Sequence, residues 1–266
     1  MKNVSVIGIG RLGICFSLTL EKCGYDVLGV DVNEEYVKSI NNKTLTSDEQ
    51  GVEDLLQKSD NFRATTNMEE ALNHSDILYV VVATPSLENG RYDHSQVDGV
   101  VEKLLSYGEQ PGKHFVICCT TMPGYCDTVS ERMSDLGYTV SYNPEFIAQG
   151  TVLRDQASPD MVLIGEGSKE AGEIIQGMYE EMTINTPRIH RMTRTEAEIT
   201  KIGLNCFLTT KISYANMVGD IARFSNCNPD VILKAIGSDT RVGNKYLGYG
   251  FGYGGPCFPR DNRALA

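Results

Sequence analysis

A glycine-rich segment near the end of the sequence contains the side chain best suited to nucleophilic chemistry. Gly250–Asp261 reads GFGYGGPCFPRD and presents a single cysteine, Cys257, after four glycines in six residues. Glycines let backbone approach a ligand where any Cβ would intrude, and a thiol becomes nucleophilic where a cation or a helix N-terminus favours the thiolate. Pro259 suits a first helical turn, which would also contain Asp261. The alternative is a surface turn beside a buried, unreactive cysteine.

A second chemical signal lies at the start of the chain. The G-x-G-x-x-G pattern over Gly8–Gly13 follows a buried strand (4–7) and opens a helix, and Asp31 stands 18 residues further on, after a strand over 26–30. In this context the glycines admit a dinucleotide pyrophosphate, which the amides at the helix N-terminus bind. A carboxylate at Asp31 binds the adenosine ribose hydroxyls and repels a 2′-phosphate, which favours NAD over NADP. The alternative is a strand–turn–helix unit without a ligand.

A long helical pattern carries a lysine and an amide on one face. Thr195-Glu196-Ala197-Glu198 fits a capping box, and the pattern continues to about Phe224. Lys201 and Asn205 are four residues apart and therefore share a face. Apolar neighbours place the lysine near the buried side, where it is a candidate for an oxyanion or carbonyl contact. The alternative is a solvated surface charge.

The elements between these motifs indicate how the sites are positioned. The predicted strands are 77–83, 115–119, 139–142 and 161–164. The predicted helices are 46–58, in which Ser47-x-x-Gln50 fits a capping box, 96–106, one from Ser168 and 229–236. Alternating strands and helices predict an α/β fold with a doubly wound parallel sheet. Thr84-Pro85 follows the strand over 77–83, where the middle of a cofactor would pass. Thr120-Thr121 follows the next strand, and its hydroxyls either bind ligand or cap a helix.

Charge and cysteine use exclude several classes of protein. The 24 basic and 35 acidic residues give a net charge of −11, which argues against a nucleic acid or an anionic membrane as partner. Eight cysteines without C-x-x-C spacing indicate reduced thiols in a cytoplasmic protein. Four well-separated histidines indicate no zinc. No signal peptide and no bilayer-spanning apolar run is visible, so the sequence predicts a soluble protein.

Taken in order, these motifs resemble the UDP-glucose/GDP-mannose dehydrogenase family, and within it the UDP-glucose branch. The matching blocks are Gly8–Gly13, Thr120–Gly124, Asn143–Phe146, Pro159–Asp160, Glu196–Ile212, Asp239–Gly243 and the Cys257 segment. The resemblance implies a Rossmann-like NAD-binding domain over 1–194. It further implies a central, long-helix, all-α dimerisation domain with the cysteine loop over 195–266. The implied reaction is the NAD-dependent, four-electron oxidation of UDP-glucose to UDP-glucuronate, a polysaccharide precursor.

The resemblance also assigns roles in catalysis. The implied catalytic residues are Cys257, Lys201, Asn205, Asp261, Glu145 and Thr121. The thiol of Cys257 would attack the aldehyde intermediate to give a thiohemiacetal, whose oxidation leaves a thioester that water cleaves. The lysine and the asparagine would stabilise the oxyanion. Asp261 and Thr121 would hold a water, and Glu145 would transfer protons or assist hydrolysis.

Further residues are implied to bind the cofactor and the substrate. The NAD set is Gly8, Gly10, Arg11, Leu12, Gly13, Asp31, Thr84, Pro85, Thr120, Thr121, Gln149 and Arg260. The nucleotide-sugar set is Phe146, Ile147, Lys201, Asn205, Arg241, Tyr246 and Gly254. Arg241 matches a family arginine that reaches the substrate of a neighbouring subunit, which implies a homodimer built on the long helix.

The sequence departs from the family pattern in several places. Gln149 stands where a glutamate is usual, so no acid–base role is expected there, and Arg260 replaces a common lysine. Tyr36 stands where an arginine often contacts the adenosine end of the cofactor, which predicts weaker NAD binding. Family members continue past the position of Ala266 into a domain that grips the nucleotide base, and that domain is expected to be absent here.

Three other functions stay open on the sequence. The first is oxidation of GDP-mannose or another UDP-sugar. The second is a β-hydroxyacid dehydrogenase, which also pairs a Rossmann domain with a lysine and an asparagine four apart on a long helix, although that class needs no Cys257. The third is a non-catalytic NAD-binding fragment or one subunit of a split enzyme.

Overall fold

One mainly parallel sheet organises the N-terminal part of the chain. A computed structural model describes residues 2–148 and 150–266, and within these residues eight strands form a single sheet. The strands are β1 Lys2–Ile7, β2 Tyr25–Val30, β3 Phe62–Thr65, β4 Ile77–Val80, β5 Lys113–Ile117, β6 Tyr138–Tyr142, β7 Met161–Gly165 and β8 Arg188–Met192. Their order is β3-β2-β1-β4-β5-β6-β7-β8. The first six follow the doubly wound order of dinucleotide-binding folds, which confirms the predicted fold class.

Helices cover the sheet and then form a second compact unit. The helices are α1 Arg11–Lys22, α2 Glu34–Asn41, α3 Val52–Lys58, α4 Met68–His74, α5 Ser95–Leu105, α6 Tyr125–Met133, α7 Val152–Ala157, α8 Lys169–Met182, α9 Arg194–Phe224, α10 Pro229–Gly237 and α11 Phe258–Leu265, with a 3₁₀ turn at Ser134–Leu136. Unit 1 contains the chain up to Pro85 and Tyr92–Glu198, and unit 2 contains Ser86–Arg91 and Ile199–Ala266. Among the described residues, none of the helices is long and apolar enough to cross a membrane.

The core of unit 1 lies on both faces of the sheet. Val4 and Val6 of β1 pack in one apolar cluster with α1, while Ile7 packs in the opposite cluster with residues of β4 and β5. Each fully buried aliphatic side chain contributes roughly 1.5–3 kcal/mol. Burial on both faces explains why parallel strands read as continuous apolar runs. Most predicted elements consequently lie within two residues of the observed bounds, although β4 ends at Val80 rather than at residue 83.

The last two strands run opposite to the first six. β7 pairs antiparallel with β6 through Tyr142 and Gly165, and β8 is parallel to β7. A parallel return needs a crossover that carries the chain back along the sheet. The link between β6 and β7 contains one helix, α7, which has six residues and extends about 9 Å. A five-residue strand spans roughly 16 Å, so α7 is too short to carry the chain back to the opposite end of the sheet. The chain therefore re-enters the sheet from the edge at which it left.

The helix predicted over 46–58 begins later than its sequence signal. α3 starts at Val52, after Gly51 in a left-handed conformation with φ +89°. The Ser47 hydroxyl, expected to cap the helix, instead accepts a hydrogen bond of 3.2 Å from the amide of Glu49 in the preceding loop. The predicted capping box is therefore wrong, because Ser47 closes a local turn.

The long helix α9 begins with a different capping box from the predicted one. The carboxylate of Glu196 accepts from the amide and the hydroxyl of Thr193, and the Glu196 amide donates back to that hydroxyl. The box therefore lies two residues before the one predicted over 195–198. Thr195 instead donates to a carboxylate of α6 at 2.6 Å, and Glu198 does not cap α9.

Unit 2 has a small apolar core of its own. Ala215 of α9, Leu233 of α10 and Leu247 of the following loop pack together. At Gly219 a Cβ would clash with the ring of Tyr249, so the loop packs directly on the α9 backbone. This packing brings the loop that precedes Cys257 onto the long helix.

Candidate functional site

The turn between β1 and α1 is closed by contacts that only glycine allows at two positions. Gly8 has φ +88°, and a Cβ there would lie 2.8 Å from the carbonyl oxygen of Val81. A Cβ at Gly13 would clash with the carbonyl oxygen of Gly8. These two glycines are required by the packing of the chain itself.

Gly10 differs from its two neighbours in the motif. It has φ −60°, and no atom of the described chain lies within 4 Å of the position a Cβ would take. Gly10 is the N-cap of α1 and provides no side-chain cap for the first-turn amides of Arg11, Leu12 and Gly13. Uncapped amides and the positive end of the helix dipole favour an anion. The space and the donors fit the pyrophosphate of a dinucleotide.

The acid after β2 is held beside the same turn. Asp31 is half-buried, and its Oδ1 accepts from the amide of Asn33 at 3.0 Å. The hydroxyl of Tyr36 donates to the carbonyl oxygen of Ile9 at 2.8 Å. Burial, with the Asp31 charge adding to it, raises the pKa of Tyr36 to about 12. Tyr36 therefore stays protonated and braces the glycine turn.

The carboxyl ends of β4 and β5 are joined by a hydroxyl. Thr84 is buried, and its Oγ1 donates to the carbonyl oxygen of Thr120 at 2.8 Å. Pro85 next to it is exposed. These strand ends border the switch point between β1 and β4, where ligands bind in doubly wound sheets.

Thr121 has a partner that the sequence did not indicate. Its hydroxyl donates to Oε1 of the buried Glu198 at 2.8 Å. The same carboxylate accepts from the amides of Gly124 at 2.7 Å and Cys126 at 2.9 Å. The N-cap of α6 is Gly124 with φ +88°, so neither threonine caps that helix. Glu198 thus fixes the loop after β5, a function hidden by its assignment to a capping box.

Glu145 follows β6 in a well-anchored segment. The side chain of Asn143 donates to the carbonyl oxygen of Leu163 and accepts from the hydroxyl of Tyr179, both at 3.0 Å. Glu145 is half-buried. Burial first, and then the nearby Glu145 charge, raise the pKa of the Cys118 thiol well above its ordinary range. Glu145 therefore lies close to the carboxyl end of β5.

The residues after Glu145 continue along the same edge. Phe146 and Ile147 are half-buried, and Gln149 lies outside the described residues. The amide of Gly150 donates to both carboxylate oxygens of Glu49 at 2.9 Å. Sequence reasoning overlooked Glu49, because its partner is 101 residues away.

Cys257 stands at the start of a helix with its side chain accessible. It is the N-cap of α11, Pro259 occupies the first turn, and the Asp261 amide donates to the Cys257 carbonyl oxygen at 2.8 Å. Cys257 is exposed. The predicted helix start is confirmed, and Cys257 is not buried. Its reactivity stays a prediction.

Asp261 connects this helix to α9 within unit 2. Its side chain is 1% exposed, and its Oδ2 accepts from the Asn205 amide group at 2.6 Å. Lys201, one turn earlier on α9, is buried. Nε of the half-buried Arg260 lies 3.7 Å from Oδ1 of Asp261. A carboxylate, an amide and an ammonium group thus belong to the same unit as the accessible thiol.

The remaining predicted substrate residues lie on the loops of unit 2. Arg241 is 89% exposed and pairs with Asp239 at 2.8 Å. Lys211 of α9 donates to two carbonyl oxygens of the same loop. Tyr246 is partly exposed with φ +64°, and Gly254 is exposed. Of the described residues, no group of three or more His, Cys, Asp or Glu side chains is arranged to hold a metal ion.

Known proteins resemble the chain over nearly its whole length. UDP-glucose 6-dehydrogenase AglM of Haloferax volcanii is 30% identical over 278 residues, which cover 99% of this chain and 64% of that protein. GDP-mannose 6-dehydrogenase of Pseudomonas savastanoi pv. phaseolicola is 31% identical, with 99% and 63% covered. The solved structure of a UDP-glucose dehydrogenase from Pyrobaculum islandicum has a TM-score of 0.90 and 29% identity, and the match covers 100% of this chain and 63% of that one.

The fold and the glycine turn define a dinucleotide-binding α/β protein, and the family models make the class specific. The NAD binding domain of the UDP-glucose/GDP-mannose dehydrogenase family matches residues 2–183, and the central domain of that family matches residues 195–266. The chain belongs to this family, and its N-terminal part is an NAD-binding domain. The resemblance to this family is confirmed, and the UDP-glucose branch within it stays a prediction. The chain spans about 63–64% of the length of these curated relatives.

Proposed function

We propose that this chain carries the NAD-binding and thiol-bearing parts of an enzyme that oxidises the C6 alcohol of a nucleotide sugar to a carboxylate. The observation that supports it best is the hydrogen bond of 2.6 Å between Asn205 and Asp261. It ties the helix capped by Cys257 to the helix that carries Lys201. The family match favours this class over the β-hydroxyacid dehydrogenase alternative.

Residues of unit 1 would hold the cofactor. The uncapped amides of α1 and the open space at Gly10 suit the pyrophosphate, and Asp31 suits the adenosine ribose. Thr84, Pro85 and Thr120 border the path of the cofactor along the strand ends. Two NAD molecules, bound one after the other, would each accept one hydride, the first from the alcohol and the second from the thiohemiacetal.

Residues of unit 2 would carry out the thiol chemistry. The Cys257 sulfur adds to the C6 aldehyde carbon, and the carbonyl oxygen takes a proton to give a thiohemiacetal. Loss of a hydride and the hydroxyl proton leaves a thioester. Water then adds, the C–S bond breaks, and the carboxylate and free thiol are released. Lys201 and Asn205 stabilise the developing oxyanion, and Asp261 orients the water. A proton-transfer role for Glu145 stays a prediction from the family resemblance.

We propose UDP-glucose as the first substrate to test. The segments around Asn143–Gly150, Arg241 and Gly243–Leu247 look closer to the UDP-glucose branch than to others. GDP-mannose is the second substrate, because a GDP-mannose 6-dehydrogenase is as similar to the chain as a UDP-glucose 6-dehydrogenase. A cytoplasmic location stays a prediction from the reduced, scattered cysteines.

We also propose a homodimer through α9. Phe207, Met217, Ile221 and Phe224 are 59%, 53%, 61% and 91% exposed. The last three are spaced by four and three residues, which places them on one face of the helix. Exposed apolar side chains in a row indicate an interaction surface. Light scattering should give twice the chain mass and show a monomer for Ile221→Glu; a wild-type monomer would contradict this proposal.

The decisive test measures NADH formed by the purified chain from NAD and a limiting amount of UDP-glucose. We expect two NADH per sugar, and the same assay with GDP-mannose ranks the two substrates. Cys257→Ser should lower the rate of carboxylate formation by more than about a thousandfold and leave the NADH dissociation constant unchanged. Cys227→Ser, which alters another exposed free thiol, is the control and should behave as wild type.

Two outcomes would overturn this proposal. Full turnover by Cys257→Ser would exclude the thioester route. Absence of NADH formation with both sugars, in a chain that still binds NADH, would identify a non-catalytic NAD-binding protein.

A further inference from the structure

A buried carboxylate lies among the segments that border the predicted cofactor site. Glu49, in the loop between α2 and α3, has a side chain that is only 2% exposed. Both of its oxygens accept from the amide of Gly150 at 2.9 Å, and Oε2 accepts from the amide of Val152 at 3.4 Å. Its Oε1 lies 3.8 Å from Nη1 of Arg11. Three stretches of unit 1 that are distant in sequence therefore meet at one side chain.

Two of those stretches are the ones expected to contact NAD. Arg11 is the first residue of α1, whose N-terminus offers its amides to the pyrophosphate. Gly150, with φ +89°, forms the turn into α7 directly after a predicted cofactor residue. Glu49 and the catalytic candidate Glu145 both lie near the Cys15 thiol on α1. Burial first, and then the charges of these two carboxylates, raise the pKa of Cys15 to about 12.

The burial of the Glu49 carboxylate indicates that its charge has a purpose beyond accepting backbone hydrogen bonds. A buried carboxylate is costly unless it is hydrogen-bonded and paired. Closing the loop by itself would need only a neutral acceptor for the Gly150 amide. A negative charge additionally orients the Arg11 guanidinium, which the exposed Asp48 also contacts at 3.4 Å.

We propose that Glu49 is a positioning residue for NAD, whose carboxylate holds Arg11 and the Gly150 turn in the arrangement that the cofactor requires. The inference rests on the proposed cofactor site. Glu49 lies outside the glycine motif and connects Arg11, at the N-terminus of α1 where the pyrophosphate is expected, to the segment that follows Glu145. Loss of the charge would leave Arg11 with the exposed Asp48, which is a weak, solvent-screened partner.

The test compares three neutralised carboxylates in the same loop region. Glu49→Gln keeps an acceptor for Gly150 but removes the charge. Glu53→Gln is the matched control, because the exposed Glu53 also accepts a backbone amide of this loop, that of Ser47 at 3.0 Å. Asp48→Asn removes the exposed partner of Arg11. NADH dissociation constants are measured by fluorescence well below the thermal midpoint of each variant.

We expect Glu49→Gln to weaken NADH about tenfold, the usual scale for a hydrogen bond to a charged group. The two control variants should stay within about twofold of wild type. An equal loss in Glu53→Gln would overturn the proposal, since Glu49 would then act only through loop stability. An unchanged dissociation constant in Glu49→Gln, with wild type binding normally, would overturn it as well, without affecting the proposed function.

A measurement on the wild-type chain covers the case in which Glu49→Gln does not fold. Hydrogen exchange at the Gly150 and Val152 amides should slow by about tenfold or more when NADH binds, because the cofactor rigidifies Arg11 and therefore Glu49. Unchanged exchange at both amides would overturn the proposal. Failure of wild type to bind NADH would instead contradict the cofactor site itself.

Discussion

The two glycine-rich segments of this chain use glycine for different reasons. In Gly8–Gly13 of unit 1, the first and last glycines are required by the chain, because a Cβ at either would collide with backbone atoms. In the segment before Cys257, Gly252 and Gly254 have ordinary φ values, and no described atom lies within 4 Å of an added Cβ. The first segment therefore needs glycine at both ends to avoid collisions. In the second segment only Gly250 and Gly255, with φ +87° and +75°, need glycine, and they need it for their backbone conformation.

This difference shows where ligand constraints are to be sought. A glycine that the fold does not require, in a segment that presents functional groups, leaves room for another molecule. Gly10 lies in the segment whose first and last glycines the fold requires, but the space next to Gly10 itself is open. Replacing individual glycines by alanine distinguishes those that the fold requires from those that leave space for a ligand.

Gly13→Ala has the largest expected effect on stability. The added Cβ collides with the Gly8 carbonyl oxygen, and overpacking of this kind lowers the free energy of unfolding by about 3 kcal/mol. Gly254→Ala should change it by less than about 0.5 kcal/mol. Urea denaturation of both variants measures the difference. Equal stability of the two variants would show that the β1–α1 turn relaxes around the added Cβ, and that Gly13 is no more necessary for folding than Gly254.

Gly10→Ala should affect the ligand more than the fold. The described chain leaves space for the Cβ, so the thermal midpoint should stay close to that of wild type. The Cβ would occupy the place where the pyrophosphate approaches, and NADH should bind at least about tenfold more weakly. Calorimetric titration with NADH tests this. Wild-type affinity would move the pyrophosphate away from Gly10.

Tyr36→Phe has the smallest expected effect. It removes the hydroxyl that donates to Ile9 in the glycine turn, a hydrogen bond worth about 0.5–1.5 kcal/mol. NADH should bind about two- to tenfold more weakly, because the turn is less rigid. Tyr249→Phe is the control, since it removes a tyrosine hydroxyl bonded to Asp220 in unit 2. Tighter NADH binding by Tyr36→Phe would contradict the bracing role.

Elements with strong local signals could be predicted from the sequence. The buried strands read as apolar runs, Ser168 caps α8 by accepting from the Ala171 amide, and Pro259 starts α11 as expected. β8, with the sequence RIHRM, was not predicted, because an edge strand with partly exposed side chains has no apolar run. The reversal at β7 was missed because strand direction depends on the return path of the chain.

The candidate site divides in the same way. The glycine motif, Asp31, Lys201, Asn205 and Cys257 were recognisable because their spacing is local. Glu49 and Glu198 were not, because their partners are 101 and 77 residues away. Nothing in the loop around Glu49 distinguishes that carboxylate from the exposed Asp48 beside it.

The sequence by itself determined the family and the NAD-binding class, and it supplied the residues that we propose for the thiol chemistry. These are properties of short motifs, in which a residue type and its neighbours are sufficient. Only the tertiary structure decided that Cys257 is accessible, that Asp261 is buried against Asn205, and which glycines the fold requires. Burial and hydrogen-bond partners arise from segments that meet only after folding, so no local pattern contains them.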